Sequence, residues 1–349
     1  MTLVASYIYR GCPILVGDFQ LSILQKRSGT CKKLYIINDY LAIGWTGYLS
    51  SAERILNILD KKFKRKLYCF REVEEFFTGI SADLFISSPI ELVGAAKIGP
   101  DFICFNWKSD RPNRVTVSPV NACGSGSEKF NDIFYSQTDL ISMLEDESRG
   151  AYSHALSICS RMAFDEFLPE DRLESQTYGF FYEIVHFNGI KFVYLDDITT
   201  SFALMRAPQG IITDLTLVDK TYYYKAVGNL SIVKEIVRDM GDDRHRVRIF
   251  GMTTPHDKNE ENLKAVLRLE VEEWEKRKSK LKLKNTSLNV VFSGIKARDG
   301  TKIFFTAVDH KDEGLLVHLD GRSYAVRNDL FQRHLNKILA RDPGILARL

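Results

Sequence analysis

Residues 1–20 read MTLVASYIYRGCPILVGDFQ, and this stretch decides the fold because it contains two apolar segments separated by a short turn. The segments at 3–9 and 13–17 are rich in β-branched and aromatic residues, and the Arg10-Gly11-Cys12 turn between them is typical of a hairpin. Chain ends usually fray, so a strand that starts at the first residues is unusual. It indicates either that the terminus is anchored in a sheet or that the residue before the strand carries chemistry.

Beyond this hairpin, residues 1–204 alternate between strand-rich and helical segments, which predicts one α+β domain. Because hairpins dominate, we expect antiparallel sheets with helices packed on their outer faces. Further strands are predicted at 34–38, 40–45, 91–97, 101–107, 114–118, 178–185 and 190–196. Amphipathic spacing predicts helices at 50–62 and 72–84, and a mostly helical stretch follows the GSGS sequence at 124–127.

Residues 205–349 differ in character and are predicted to form a second α+β domain, whose role the pattern does not indicate. A strand-rich piece is expected up to Val227, followed by the other elements of the domain. These are helices at 231–240, 258–284 and 328–340, strands at 288–296 and 302–308, and a hairpin around Asp320-Gly321.

The composition is that of an ordinary globular protein with enough chain for about two domains. Of the 349 residues, 45% are hydrophobic and 27% charged, and the net charge of +3 is too small to indicate nucleic acid or an anionic membrane as a partner. No apolar run approaches the roughly 20 residues needed to span a bilayer. Six cysteines without a CxxC pair or a secretory leader favour reduced thiols, so we expect a cytoplasmic protein.

The usual motifs of metal and cofactor chemistry do not occur in the sequence. GSGSEK lacks the strand-to-helix glycine fingerprint of a dinucleotide site, and no G-x-S-x-G sequence is present. The seven histidines form no HExxH motif and no zinc-type spacing, and residues 1–153 contain no histidine. We therefore expect chemistry that needs neither a metal ion nor an organic cofactor.

Thr2 offers such chemistry. If Met1 is removed, Thr2 exposes an α-amine with an ordinary pKa of about 7.7–8.0, so one residue carries both a nucleophile and a base. The site also needs a cation that keeps the amine unprotonated, an anion that holds the cation, and a backbone N–H for the oxyanion. The candidates are Lys33 with Lys32 in reserve, Asp18, and the N–H of Gly47.

Five stretches together resemble the proteasome β-subunit family, nearest to the bacterial heat-shock threonine peptidase that works with an AAA+ unfoldase. In that family the mature threonine stands 16 residues before an aspartate, and a lysine stands 14 residues before the oxyanion glycine. Thr2 and Asp18 are 16 apart here, and Lys33 and Gly47 are 14 apart. The resemblance covers about residues 1–200 and depends on the order and spacing of TLVASYIYRGCPILVGDFQLS, KKLYIINDYLAIGWTG, SSAERILNIL, ELVGAAKIGPDFICFNW and ACGSGS.

The resemblance implies a four-layer αββα sandwich of antiparallel sheets and the fold of an N-terminal nucleophile (Ntn) hydrolase. It implies that Ser125 lies near the threonine amine and that Gln20 and Trp45 belong to the substrate-binding side of the site. Glu174 and Thr177 stand where the family has an aspartate and a serine, and whether they complete the site is left open. The implied activity is that of a threonine peptidase on peptide or protein substrates, acting in a homo-oligomer with an ATP-dependent unfoldase or another protein as partner.

Two alternatives stay open at this point. A catalytically inactive member of the family would use the fold as an assembly or sensing module. An Ntn amidohydrolase would keep the nucleophile but hydrolyse a small amide instead of a peptide.

Overall fold

The structure is a computed structural model and divides into two compact units. It describes residues 2–23, 26–64, 68, 70–141, 147–165, 178–206, 217–238, 245–257, 260–277, 288–296 and 302–310. The first unit consists of Met1–Leu195 together with Gly228–Ser231 and Met252–Glu260. Two short segments from beyond residue 205 therefore belong to the first unit, whereas the domain predicted at 1–204 does not include them.

The described part of the first unit up to residue 195 contains twelve strands and four α-helices. The strands are β1 (Val4–Tyr9), β2 (Cys12–Asp18), β3 (Gln20–Ile23), β4 (Lys26–Thr30), β5 (Leu34–Asn38), β6 (Leu41–Gly47), β7 (Ile90–Ile98), β8 (Asp101–Lys108), β9 (Val115–Val117), β10 (Val120–Cys123), β11 (Tyr182–Phe187) and β12 (Phe192–Tyr194). The helices are α1 (Leu49–Phe63), α2 (Phe70–Thr78), α3 (Ser127–Ile141) and α4 (Glu147–Asp165), with a 3-10 turn at Ala82–Phe85.

Two antiparallel five-stranded sheets form the centre of this unit. Their strand orders are β10-β1-β2-β11-β12 and β5-β6-β7-β8-β9, and β3 pairs with β4 alone. The β1–β2 hairpin closes through Arg10 and Gly11, whose φ values of 50° and 75° are both left-handed. This is the two-residue turn whose twist matches that of paired strands, so the pattern in residues 1–20 folds as predicted.

Each sheet has one face toward the other sheet and one toward helices. Apolar residues from both sheets, including Val4, Leu15, Leu34 and Val93, form a core between them. The buried stripe of α1 packs with α2 on the outer face of the β5–β9 sheet, while α3 and α4 contact strands β10, β2 and β11 of the other sheet. The prediction of a mixed α+β fold with mostly antiparallel sheets is confirmed.

The second unit contains a six-stranded sheet and one described α-helix. Its elements are β13 (Ile198–Arg206), β14 (Leu217–Val227), β15 (Leu230–Arg238), β16 (His245–Met252), α5 (Glu260–Arg277), β17 (Leu288–Lys296) and β18 (Lys302–His310). The end residues Leu230 and Ser231 of β15, Met252 of β16 and Glu260 of α5 belong to the first unit. The strand order is β16-β15-β14-β13-β17-β18, with β13 and β17 parallel. The predicted strands at 288–296 and 302–308 are confirmed, whereas the predicted hairpin at 320–321 and helix at 328–340 lie outside the described residues.

The predicted helix at 231–240 is wrong, because Leu230–Arg238 is strand β15. Ile232, Val233 and Ile236 have a spacing that suits a helix, but β-branched residues also favour a pleated strand. Gly228, with a φ of 58°, stands in the turn between Val227 and Leu230 and brings β15 beside β14. Pairing with neighbouring strands therefore decided the conformation of a segment whose pattern was ambiguous.

Candidate active site

Thr2 and Asp18 are in contact because of the hairpin. Val4 pairs with Gly17, so the preceding residue Leu3 lies beside Asp18. The Asp18 N–H donates to the main-chain oxygen of Leu3 at 3.0 Å. The Thr2 hydroxyl donates to Asp18 Oδ1 at 2.5 Å, and the Leu3 N–H donates to the same oxygen at 3.1 Å. Thr2 and Asp18 are 3% and 1% exposed, so this contact is shielded from water. The 16-residue spacing is therefore a direct product of the two-residue turn.

Lys33 is the cation of this site. Its Nζ donates to Asp18 Oδ1 at 2.8 Å, to the Asp18 main-chain oxygen at 3.0 Å and to the Gln20 main-chain oxygen at 2.5 Å. The three N–H bonds of an ammonium group each have an oxygen acceptor here. Burial lowers the pKa of Lys33, and the Asp18 carboxylate opposes that shift. The structure thus brings Thr2, Asp18 and Lys33 together in one buried cluster.

The second carboxylate oxygen of Asp18 is held by the backbone of Gly179. The Gly179 N–H donates to Asp18 Oδ2 at 2.7 Å, and Gly179 has a φ of 116°, which a side chain would make costly. Tyr182 pairs with Asp18 across the sheet, so strand β11 sets this segment beside the end of β2. Four donors therefore fix the orientation of the Asp18 side chain. This role of Gly179 was not predicted from the sequence.

The Gly124-Ser125-Gly126 turn holds the main chain of Thr2. The Gly126 N–H donates to the main-chain oxygen of Thr2 at 3.3 Å. Gly124 has a φ of 90°, and a Cβ atom on it would lie 2.0 Å from the same Thr2 oxygen. Ser125 is exposed and lies between these two glycines, so the structure places its segment next to Thr2. Its assignment as a partner of the amine stays a prediction.

Gly47 ends strand β6 in a conformation that requires glycine. Its φ is 116°, and a Cβ atom would lie 2.4 Å from the Pro89 oxygen. Gly47 is exposed and pairs with Ile90 at the end of the β6–β7 ladder. The role of its N–H as oxyanion donor stays a prediction.

Trp45 and Gln20 are both buried beside the segment that contains Lys32 and Lys33. Trp45 is 1% exposed in the core under α1, and its indole N–H donates to the Lys32 oxygen at 3.2 Å. Gln20 is 0% exposed, and its Nε2 donates to the Ser22 hydroxyl at 3.1 Å. Their assignment to substrate binding stays a prediction, but neither side chain offers surface to a ligand in this structure.

Lys32, the reserve candidate, does not contact Asp18 but belongs to a separate buried pair. Its Nζ lies 2.9 Å from Glu183 Oε1, donates to the Ser231 hydroxyl at 2.8 Å and lies 3.6 Å from the centre of the Tyr194 ring. Neither Glu183 nor Ser231 was predicted from the sequence, in which the one signal is a glutamate inside the apolar strand YEIVHF. Glu174 and Thr177 lie outside the described residues.

The described cysteines are poor rivals of Thr2 as nucleophiles. Cys12, Cys31, Cys104, Cys123 and Cys159 are free thiols. Burial raises the pKa of each, to about 12 for Cys31 and Cys104. The thiolate is the reactive form, so at neutral pH these groups are weak nucleophiles.

No family model matches the chain, and no curated protein matches its sequence. Among the residues that the structure describes, no helix is long and apolar enough to cross a membrane. The same residues contain no group of three or more His, Cys, Asp or Glu side chains placed to hold a metal ion. The chemistry of the Thr2 cluster is therefore inferred from its geometry.

Proposed function

We propose that the first unit is a proteasome-like Ntn hydrolase with an αββα sandwich, and that it hydrolyses peptide bonds with Thr2 as nucleophile. The observation that carries this proposal is the buried chain of contacts from the Thr2 hydroxyl through Asp18 Oδ1 to Lys33 Nζ, at 2.5 and 2.8 Å. The packing of helices on the outer faces of two stacked antiparallel sheets supports it.

The mechanism starts with cleavage of the Met1–Thr2 bond, because the nitrogen of Thr2 is a base only as a free amine. The hydroxyl oxygen Oγ1 of Thr2 then forms a bond to the peptide carbonyl carbon, and the α-amine accepts the hydroxyl proton. When the C–N bond breaks, the ammonium returns that proton to the leaving amine. The resulting threonine ester reacts with water, which releases the acid and regenerates the hydroxyl.

The neighbouring groups have separate tasks in this mechanism. The Lys33 cation favours the unprotonated form of the nearby amine. Asp18 holds Lys33 and orients the Thr2 hydroxyl, and the Gly126 N–H fixes the Thr2 main chain. We propose that the Gly47 N–H stabilises the oxyanion and that Ser125 contacts the amine.

One observation favours a second candidate, a non-catalytic assembly or sensing module. Thr2 is only 3% exposed and its hydroxyl is already bonded to Asp18, so the described state is closed to a substrate. In such a module the cluster would only stabilise the fold. A small-amide hydrolase would share the chemistry of Thr2 and differ in substrate.

Covalent labelling separates the candidates. The intact mass of the purified protein shows whether Met1 has been removed, and a β-lactone probe followed by peptide mapping shows whether Thr2 is acylated. We expect removal of Met1, labelling of Thr2, loss of the label in Thr2→Ala and its retention in Thr2→Ser. Thr78→Ala on α2 is the matched control, since it removes a threonine hydroxyl far along the chain. Full retention of Met1, or labelling that persists in Thr2→Ala, would overturn the proposal.

Substrate class and assembly need measurements of their own. Hydrolysis of fluorogenic peptides against small amides distinguishes a peptidase from an amidohydrolase. Native mass spectrometry tests the proposed self-association, and stimulation of peptide release by an added ATP-dependent unfoldase tests the proposed partner. A monomer that labels at Thr2 would retain the chemistry and refute the proposed oligomer.

A further inference from the structure

A second buried ion pair lies directly beside the Thr2 cluster. Lys32 Nζ and Glu183 Oε1 are 2.9 Å apart, and their side chains are 0% and 1% exposed. The Ser231 hydroxyl joins the two, since it accepts from Lys32 Nζ at 2.8 Å and donates to Glu183 Oε1 at 2.7 Å. Nothing in the proposed chemistry of Thr2 uses this pair, although Lys32 is covalently bonded to Lys33.

Two late segments of the first unit hold the main chain around Lys32. Ser231 comes from Gly228–Ser231, and Thr253 from Met252–Glu260. The Lys32 N–H donates to the Thr253 oxygen at 3.0 Å, and the Cys31 thiol contacts the same oxygen at 3.2 Å. The residue before Lys33 is thus fixed at both its main chain and its side chain.

The charges of the two pairs are kept apart by the sheet. Tyr182 pairs with Asp18 and Glu183 pairs with Gly17, so the two carboxylates occupy consecutive register positions on neighbouring strands. Alternation along a strand directs such positions to opposite faces. Each lysine therefore has its own carboxylate, and an uncompensated buried charge beside Lys33 is avoided.

We propose that Lys32, Glu183 and Ser231 are positioning residues for Lys33, and we call these three residues with the Thr253 carbonyl the lysine clamp. The clamp fixes the main chain at 31–33, so that Lys33 reaches Asp18 and Gln20 with all three N–H bonds. Its catalytic meaning rests on the proposed function of Thr2, whereas its effect on the main chain does not.

The alternative use of the same groups is a Ser–Lys nucleophile pair. Ser231 and Lys32 are both 0% exposed, so a substrate has no path to the Ser231 hydroxyl in this structure. Peptide mapping after labelling distinguishes the two: a probe found on Ser231 would overturn the clamp.

The test uses the full chain with Ser231→Ala, and Ser160→Ala in α4 as the buried-serine control. Hydrogen–deuterium exchange of the peptide that covers 31–36 is measured together with the rate constant and the amplitude of β-lactone labelling at Thr2. In Ser231→Ala we expect about tenfold faster exchange at 31–34, because the local opening free energy falls. We also expect a labelling rate constant lower by about tenfold to a hundredfold with an unchanged inhibitor affinity, because a small misplacement of a catalytic group is costly. Ser160→Ala should match the wild type in both.

A lowered amplitude with a wild-type rate constant would mean that Ser231→Ala only reduces the folded fraction, and it would overturn the positioning role. The double variant Lys32→Met/Glu183→Gln gives a second test, since it removes the clamp without leaving an unpaired buried charge. Wild-type exchange and labelling in both variants would also overturn the proposal. If the wild type does not label at all, the proposed function fails, and the exchange of 31–34 in Ser231→Ala still decides whether the clamp exists.

Discussion

Asp18 holds Lys33 twice, because its carboxylate Oδ1 and its own main-chain oxygen both accept from Lys33 Nζ, at 2.8 and 3.0 Å. One bond depends on the aspartate side chain and the other only on the end of strand β2. A substitution at position 18 therefore removes the counter-charge without removing every acceptor of the lysine.

Asp18→Asn should destabilise the protein by about 3–5 kcal/mol, because it leaves the buried Lys33 cation without its counter-charge. It should also abolish labelling of Thr2. Urea denaturation gives the free energy of unfolding, and β-lactone labelling gives the reactivity. The double variant Asp18→Asn/Lys33→Met should regain part of the stability but none of the labelling. Wild-type stability in the single variant would contradict the buried ion pair.

Gly124→Ala should displace the main chain of Thr2, because the new Cβ would lie 2.0 Å from the Thr2 oxygen. Gly189→Ala is the matched control, since Gly189 has a similar φ of 95° but nothing within 4 Å of a Cβ atom. The control should cost about 1 kcal/mol for its left-handed conformation and keep wild-type labelling. Gly124→Ala should cost more and lose the label, and equal melting temperatures and labelling in the two variants would contradict the close contact.

Trp45→Phe should weaken the fold by about 1–3 kcal/mol, since it leaves the Lys32 oxygen without the indole donor. Because Trp45 is 1% exposed, the preference of the protein among peptide boronates with different side chains should not change. Binding constants for a boronate series, measured in both proteins, check this. A changed preference at the residue before the cleaved bond would instead support Trp45 as part of the substrate pocket.

His154 should make the protein sensitive to acid. It stacks on Tyr9 at 4.3 Å between centroids and contacts Tyr7 and Phe134, and burial lowers its pKa to about 4. Between that value and the ordinary histidine pKa of about 6.5, the unfolded chain binds more protons than the folded one. The free energy of unfolding should therefore fall as the pH drops from 6.5 to 4, by about 3 kcal/mol in all.

The measurement for this prediction is the difference between wild type and His154→Phe across that pH range. Burial also lowers the pKa of His186, so the variant should retain part of the slope. His154→Phe should keep the ring packing and lose the part of the pH dependence of the free energy of unfolding that is due to residue 154. Equal slopes in the two proteins would refute the assignment.

The contact between Thr2 and Asp18 was predictable from sequence because it is local to one hairpin. The Arg10-Gly11 turn sets the register of the hairpin, which places Leu3 beside Asp18, and Thr2 is the residue before Leu3. The choice between Lys32 and Lys33 was not predictable in the same way. It depends on where neighbouring strands place the carboxylates that receive the two side chains.

The partners of Lys32 could not be found by spacing, because Ser231 lies 199 residues further along the chain. Glu183 was hidden within an apolar strand, and the segment that contains Ser231 was predicted as helix although it is strand β15. Long-range contacts of this kind are decided by the packing of whole elements, which a single sequence does not display.

The late position of Ser231 and Thr253 also orders events during synthesis of the protein. Thr253 is added to the growing chain 220 residues after Lys33. At translation rates of about 5–20 residues per second, this interval is roughly 10 to 40 s. For that time the nascent chain carries Thr2 and Lys33 without the Thr253 carbonyl that fixes the main chain of Lys32, so the full set of contacts around Lys33 forms only after Thr253 has been added.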